Sequence, residues 1–141
     1  MFKMREIKFR AWVYDEEKEE DKMVNVIGIF FKGNSFIPHR VIIDDEEKIW
    51  LLQNSELMQF TGLKDSKGKE IYEGDIIKHE FGLSKKSLIG IVRYNKEFAR
   101  FQVESSSDFA GLILTTTLKT EEVIGNEFEN PELLKEVLNV N

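Results

Sequence analysis

The chain has few side chains suited to catalysis: 141 residues include two histidines, His39 and His79, and no cysteine. A hydrolase triad needs a nucleophile, a base and an orienting acid, and the serines here lie in loops without the nucleophile-elbow pattern. A His39–His79 metal pair would require both halves of the chain to bring the rings together. We therefore predict no catalytic residue, metal or cofactor, and treat both histidines as ordinary surface or strand-end residues.

Two carboxylates, Glu73 and Asp75, flank Gly74 and could in principle perform acid–base chemistry. The alternative is a turn in which the Asp75 carboxylate accepts hydrogen bonds from backbone amides. No neighbouring sequence feature suggests a substrate. We predict the turn, and would count the pair as functional only if its pKa values were split.

The segment from Gly62 to Lys69 is superficially like a phosphate-binding loop. About four residues separate the glycines of such a loop, and a hydroxyl residue follows its lysine to hold magnesium. Here the spacing is longer, Glu70 takes the place of the hydroxyl, and the predicted flanking elements are strands, not a helix. We exclude the phosphate loop.

Basic and aromatic residues recur at two places and suggest a nucleic-acid surface, because small barrels bind strands with stacked aromatic rings and a basic rim. The alternative is an ordinary soluble surface with lysines at turns. The net charge of −6 argues against non-specific binding to phosphates. The candidate residues are Lys64, Lys67 and Lys69 at one turn, and Arg93, Tyr94, Arg100 and Phe101 in one predicted hairpin.

Aromatic residues also suggest a protein-binding surface. The chain contains eleven phenylalanines, and Trp12 shares the charged face of the first predicted strand with Tyr14. Trp12 either covers the methylene stems of nearby basic residues or forms a contact surface. A contact surface at Trp12 would act together with an exposed Trp50, edge strands and a short amphipathic C-terminal helix. These features favour self-association or docking to a host or phage protein.

Alternation of apolar and polar residues predicts strands along most of the chain. The first runs over 6–14, a charged turn covers 15–22, and a largely buried strand covers 24–31. Residues 44–57 fit either two strands or a short helix. Asn130, Pro131 and Glu132 are typical of a helix start, and the apolar residues after them predict a helix of about two turns.

Residues 57–78 read as strand, tight turn, strand, second turn and strand, with Asp65 and Gly68 placed as in a tight turn. About five short strands from Tyr72 onward are typical of a small SH3-like barrel. The predicted fold is therefore mainly β: a strand-rich N-terminal lobe over 1–56, and a C-terminal SH3-like β-barrel with a short terminal α-helix over 57–141. No apolar run is long enough to span a membrane.

Three separated motifs resemble the YopX family of phage and prophage proteins. They are TGLKDSKGKEIYEGDII, REIKFRAW upstream of it and EVIGNEFENPELL downstream of it. The resemblance implies a β-rich protein encoded by a phage or prophage and acting in the bacterial cytoplasm, and it brings no catalytic residues. We therefore expect a non-enzymatic accessory protein that acts by protein binding or as a homo-oligomer, with nucleic-acid binding as the alternative and an unrecognised enzyme as the third.

Overall fold

The computed structural model describes residues 4–36, 39–81, 83, 86–105, 112–113 and 120–138. The chain divides into two compact units, Met1–Gln59 and Phe60–Asn141. The division falls inside a strand, three residues beyond the boundary drawn after residue 56 from the sequence. No helix among the described residues is long and apolar enough to cross a membrane.

The N-terminal unit is an antiparallel sheet with its strands in the order β4-β3-β2-β1-β5. A 3₁₀ turn, Leu52–Asn54, separates β4 from β5. The strands are β1 Phe9–Asp15, β2 Glu20–Phe30, β3 Val41–Asp44, β4 Ile49–Leu51 and β5 Glu56–Lys64, of which residues 56–59 pair with β1.

One face of this sheet forms the core of the N-terminal unit, and its residues repeat with period two. The core contains Ala11, Val13, Val24, Ile42 and Trp50, all at most 8% exposed. Val26, Ile29, Leu52 and Leu57 pack against it. Because Trp50 of the terminal strand packs with Val13 of β1, although two strands lie between them, the sheet has to curl around the indole.

Four predictions for the N-terminal unit need correction. The first strand does not run over 6–14, because β1 begins at Phe9 and ends at Asp15. The strand over 24–31 is not largely buried, because Ile27 is 64% and Phe31 66% exposed. The charged run 15–22 is not only a turn, because its last three residues begin β2. The undecided segment 44–57 contains both kinds of element, with β4 followed by the 3₁₀ turn.

The described strands of the C-terminal unit form a second antiparallel sheet in the order β10-β9-β8-β7-β11, and residues 60–64 of β5 pair with β6. The order is that of an open sheet, so the SH3-like barrel stays a prediction. The elements are β6 Glu70–Tyr72, β7 Asp75–Phe81, β8 Lys86–Asn95, β9 Arg100–Glu104, β10 Leu112–Ile113, β11 Glu121–Asn126 and α1 Pro131–Leu138.

The C-terminal sheet is apolar on both faces. One face carries Ile77, Val92, Val103 and Val123, which pack with Ile71 of β6. The other carries Ile76 and Ile91, which pack with Val137 of α1. The helix prediction is confirmed, and the apolar stripe of α1 packs on its own sheet, since Val137 is 1% exposed.

Asp65 closes the first turn of the stretch 57–78. Asp65 is 7% exposed; its Oδ1 accepts from the amides of Lys67 and Lys69, and its Oδ2 accepts from the amide of Val123 at 2.9 Å. Gly68, at φ 83°, donates its N–H to the Asp65 carbonyl. The tight-turn prediction is thus confirmed, and Asp65 also ties the turn to β11.

Candidate functional site

A buried carboxylate lies at the end of β1. Asp15 continues the inward-facing period of Ala11 and Val13 and is 1% exposed. Its Oδ2 lies 3.4 Å from the Lys22 Nζ, and its Oδ1 lies 3.2 Å from the Lys48 Nζ. Two ammonium groups therefore compensate one buried carboxylate, as burial of a charge requires.

Both ammonium groups also lie over the indole of Trp50, the Lys48 Nζ at 4.4 Å and the Lys22 Nζ at 5.4 Å from a ring centroid. The Trp50 Nε1 donates a 2.7 Å hydrogen bond to Asp44 Oδ2. Asp44 Oδ1 accepts from the amides of Glu46 and Lys48 and so shapes the β3–β4 turn. These contacts fix the ring between two charged networks.

The pKa of Asp15 results from opposing effects. Burial alone raises it, but hydrogen bonds from Lys48 and Lys22, with further help from the Lys18 amide, outweigh burial and lower the pKa from 3.8 to about 2. Asp15 therefore stays ionised under physiological conditions and acts as a structural charge.

A cleft of about 510 Å³ opens beside this network, lined by residues 13–17, 48–51 and 54–55. We call it the β4 cleft. Three carboxylates, those of Asp15, Glu16 and Glu17, face it together with the single ammonium of Lys48. Asp15 and Lys48 neutralise one another, whereas the exposed carboxylates of Glu16 and Glu17 have no hydrogen-bond or ion-pair partner among the described residues. The rim of the cleft is therefore acidic.

The opposite face of the sheet near β4 exposes aliphatic and aromatic side chains. Phe30, Val41 and Leu51 are register partners across β2, β3 and β4, and Gly28, Ile43 and Ile49 form the next row. We call these six residues the apolar rows. Phe30 is 43%, Ile49 50% and Leu51 36% exposed, whereas Val41 between Phe30 and Leu51 is buried and Ile43 is half-buried. Since Ile49 and Leu51 also line the β4 cleft, apolar surface continues from the face around the strand edge.

β4 is a terminal strand, and among the described residues it pairs only with β3. Lys48 O and Leu52 N bond the backbone on the β3 side. Because antiparallel backbone groups alternate in direction, the N–H groups of Ile49 and Leu51 point away from β3. The Ser55 hydroxyl donates to the Leu51 carbonyl, so this edge offers mainly donors.

Two of the cations predicted to bind nucleic acid are held in ion pairs. Lys67 Nζ lies 2.8 Å from Glu122 Oε1. The Nη1 and Nη2 atoms of Arg93 each lie 2.7 Å from an oxygen of the Glu127 carboxylate. The hydrogen bonds that Lys67 and Arg93 donate to these carboxylates raise the pKa of both cations. Lys64 and Lys69 are exposed near the same turn as Lys67.

The aromatic part of that prediction forms one cluster at the β8–β9 hairpin. Tyr94 and Phe101 are register partners with ring centroids 5.4 Å apart in an edge-to-face arrangement. The guanidinium of Arg100 lies 4.8 Å from the Phe98 ring centroid, and its Nε also donates to Gln102. Tyr94 is 49% and Phe98 64% exposed.

The structure changes the interpretation of the two tryptophans. Trp50 was expected at the surface, but it is 8% exposed because it is the residue around which the sheet curls. Trp12 is half-buried on the outer face of β1, between register partners Met23 and Glu56. Neither indole forms an exposed contact surface by itself.

The histidine geometry does not match a triad. His79 Nδ1 lies 2.8 Å from Glu121 Oε1 and 3.2 Å from Thr120 Oγ1, so acid and hydroxyl meet the same ring nitrogen, whereas a triad uses opposite nitrogens. His39 is exposed in the other unit. The described residues contain no group of three or more side chains able to hold a metal ion.

The Glu73–Asp75 pair is a turn device, as predicted. Asp75 is 1% exposed, and its Oδ2 accepts a 2.8 Å hydrogen bond from the Tyr72 amide. Gly74 between them has φ 82° and donates to the Val92 carbonyl. The Asp75 carboxylate is therefore engaged in the turn.

Sequence reasoning missed the Asp15–Lys22–Lys48–Trp50 network and the cleft beside it. One signal was present, because Asp15 continues the period-two positions of Ala11 and Val13. It was hidden by the seven charged residues that follow, which made Asp15 look like the first residue of a solvated turn.

We expect Asp15→Asn to lower the thermal midpoint of the N-terminal unit at pH 7 and to change its pH dependence. Since the pKa of Asp15 is depressed to about 2, the wild-type carboxylate contributes stability above pH 4 and loses it as the pH falls from about 4 to about 2. The substitution removes this part of the slope. Tryptophan fluorescence measures it, because Trp12 and Trp50 both belong to this unit.

Asp21→Asn, an exposed position in the same charged run, is the matched control and keeps the wild-type midpoint and slope. If Asp15→Asn unfolded with the same acid dependence as wild type, the buried ion network would not be the element that holds the curl.

Comparison with known proteins supports one assignment. A family model described as YopX protein matches residues 8–135. No curated protein matches the chain. The crystal structure of protein EF1440 from Enterococcus faecalis is similar at 25% identity and TM-score 0.55, covering 93% of this chain and 99% of that one. Protein yopX from Bacillus subtilis is similar in fold at 23% identity and TM-score 0.56, and the match covers 89% of this chain and 96% of that one. The chain belongs to the YopX family.

Proposed function

We propose that this protein is a phage or prophage accessory protein that acts in the bacterial cytoplasm by binding protein, including a second copy of itself, and not by catalysis. The observation that carries the proposal is that Ile49 and Leu51, two exposed members of the apolar rows, lie side by side on the terminal strand β4. A contiguous apolar patch of this kind marks an interaction surface, whereas single exposed apolar residues do not.

Burial of the exposed apolar-row side chains alone does not outweigh the free-energy cost of association. Full burial of an aliphatic side chain contributes about 1.5–3 kcal/mol, and half of each exposed side chain is already covered. Ile49, Leu51 and Phe30 together would then contribute about 3 kcal/mol. Association costs at least about 4 kcal/mol of lost translational and rotational freedom. Backbone pairing and charge contacts must therefore add to the apolar rows.

The carboxylates near the cleft fit binding better than catalysis. Asp15 holds two ammonium groups and Asp44 holds an indole and two amides. Each is fully engaged in shaping the sheet, so neither is placed to exchange protons with a substrate.

We expect Leu51→Lys to weaken self-association at least about 10-fold, or about 1.4 kcal/mol, because an ammonium would be buried where the apolar rows meet the edge. Sedimentation velocity over a concentration series measures this. Gln53→Lys is the matched control, since it adds the same charge two residues away at an exposed position of the 3₁₀ turn and should leave association unchanged.

A wild-type protein that stays strictly monomeric at about 1 mM, where an association worth about 4 kcal/mol would be half-formed, would remove self-association from the proposal. If Leu51→Lys and Gln53→Lys weakened self-association equally, the interface would not be at the apolar rows.

Nucleic-acid binding by the C-terminal unit is the second candidate. It is favoured by exposed Tyr94 and Phe98, with half-buried Phe101 and Arg100 beside them. Bases stack on aromatic faces, and an SH3-like closure of the C-terminal strands would suit this use. The ion pairs of Lys67 and Arg93 reduce the free positive charge at the other predicted positions.

This candidate predicts binding of single-stranded oligonucleotides whose log K falls linearly with log salt concentration, by a slope of about −0.7 for each phosphate contact. Tyr94→Ala weakens such binding, whereas Phe36→Ala, at a more exposed aromatic position in the other unit, does not. A flat salt dependence or no measurable binding rejects the candidate.

A further inference from the structure

The open edge of β4 raises the question of which chain segment completes it. We infer that residues 2–5 of a second copy of this chain add to β4 as an extended strand, with apolar side chains on the apolar rows and basic side chains over the rim of the β4 cleft. This inference rests on the proposed self-association and names the segment that mediates it.

The N-terminal arm, which we define as residues 2–8, has the composition that the edge requires. Its described part, residues 4–8, contains no helix or strand, and Met4 is 83% and Ile7 55% exposed. The sequence Phe2-Lys3-Met4-Arg5 alternates apolar and basic residues. In an extended strand, Phe2 and Met4 would therefore point to one face and Lys3 and Arg5 to the other.

β4 also has an apolar side and a side that lies near charged groups. Ile49 and Leu51 belong to the apolar rows, while Trp50 faces the core and its neighbour Lys48 reaches Asp15. A strand paired with β4 continues the sheet, so its own two faces align with these two sides. One face of residues 2–5 then packs on Ile49 and Leu51, and the other lies toward the cleft.

Charge complementarity selects this orientation. The exposed carboxylates of Glu16 and Glu17 at the rim have no partner among the described residues, and the arm brings Lys3 and Arg5. Exposed pairs of this kind contribute about 0.2–1 kcal/mol each, which sets register and orientation more than affinity. The reversed strand face would place apolar Phe2 and Met4 at the acidic rim.

The arm of the same chain is poorly placed for this contact. The strand order places β2 and β3 between β4 and β1, at whose first residue the arm ends. Three strand spacings along the sheet add up to about 14 Å, whereas residues 5–8 span about 13 Å when extended and would be used up in the crossing. Over residues 9–12 both edges of β1 are already paired, with β2 and with β5, so the arm cannot return along this part of β1 as a strand. A second copy meets neither restriction.

Charge reversal tests the inference in the full-length chain. We expect Lys3→Glu/Arg5→Glu and Glu16→Lys/Glu17→Lys each to weaken self-association about 10-fold or more, and their equimolar mixture to associate as wild type does. In the mixture each acidic arm meets a basic rim and each basic arm meets an acidic rim. Sedimentation velocity gives the dissociation constants, and native mass spectrometry identifies the mixed species.

Lys96→Glu/Lys135→Glu controls for net charge, since it makes the same change as the arm variant at exposed positions of the other unit and keeps wild-type association. Thermal midpoints by circular dichroism check that every variant is folded.

The outcomes separate the two proposals. If the arm variant associates as wild type does while Leu51→Lys weakens association, self-association through the apolar rows stands and the arm is not its mediator. If both charge variants lose association and the mixture does not restore it, the pairing of arm and rim is wrong. A monomeric wild type overturns this inference together with the self-association that it extends.

Discussion

The N-terminal unit depends on the compensation of one buried charge. Asp15 is almost inaccessible to solvent, and the two ammonium groups that neutralise it come from β2 and from the turn before β4. Two strands lie between β1 and β4 in the sheet, so Lys48 reaches Asp15 only if the sheet curls. Leaving the buried carboxylate unpaired would be expensive, so these two ion pairs favour the curled sheet.

The curl also determines which surfaces remain available. It turns Trp50 inward between Asp44 and the two lysines, and the period of the strand then turns Ile49 and Leu51 outward. The same bend opens the β4 cleft between the end of β1 and the terminal strand. An acidic rim, exposed apolar side chains and an edge whose N–H groups point away from β3 thus meet at one strand of three residues. This combination explains why a binding function is the most economical proposal.

The sequence was most informative where a structure is made by neighbouring residues. The turns at Asp65 and Asp75, the helix start at Asn130 and the predominance of strands follow from local hydrogen bonding and periodicity, and the family follows from its three motifs. Contacts between residues far apart in the sequence could not be predicted from it. Arg93 looked available until Glu127, 34 residues away, was found to bind it. The continuous apolar run in β2 concealed that one of its faces is exposed.

The central claim is that association occurs at the free edge of β4. Hydrogen exchange of the Ile49 and Leu51 amides, followed by NMR across a protein dilution series, tests it most directly, because these N–H groups point away from β3. The account predicts that both amides become protected as the oligomer forms, while those of the exposed hairpin at Lys96 do not change. Oligomer formation with no change in exchange at Ile49 and Leu51 would contradict it.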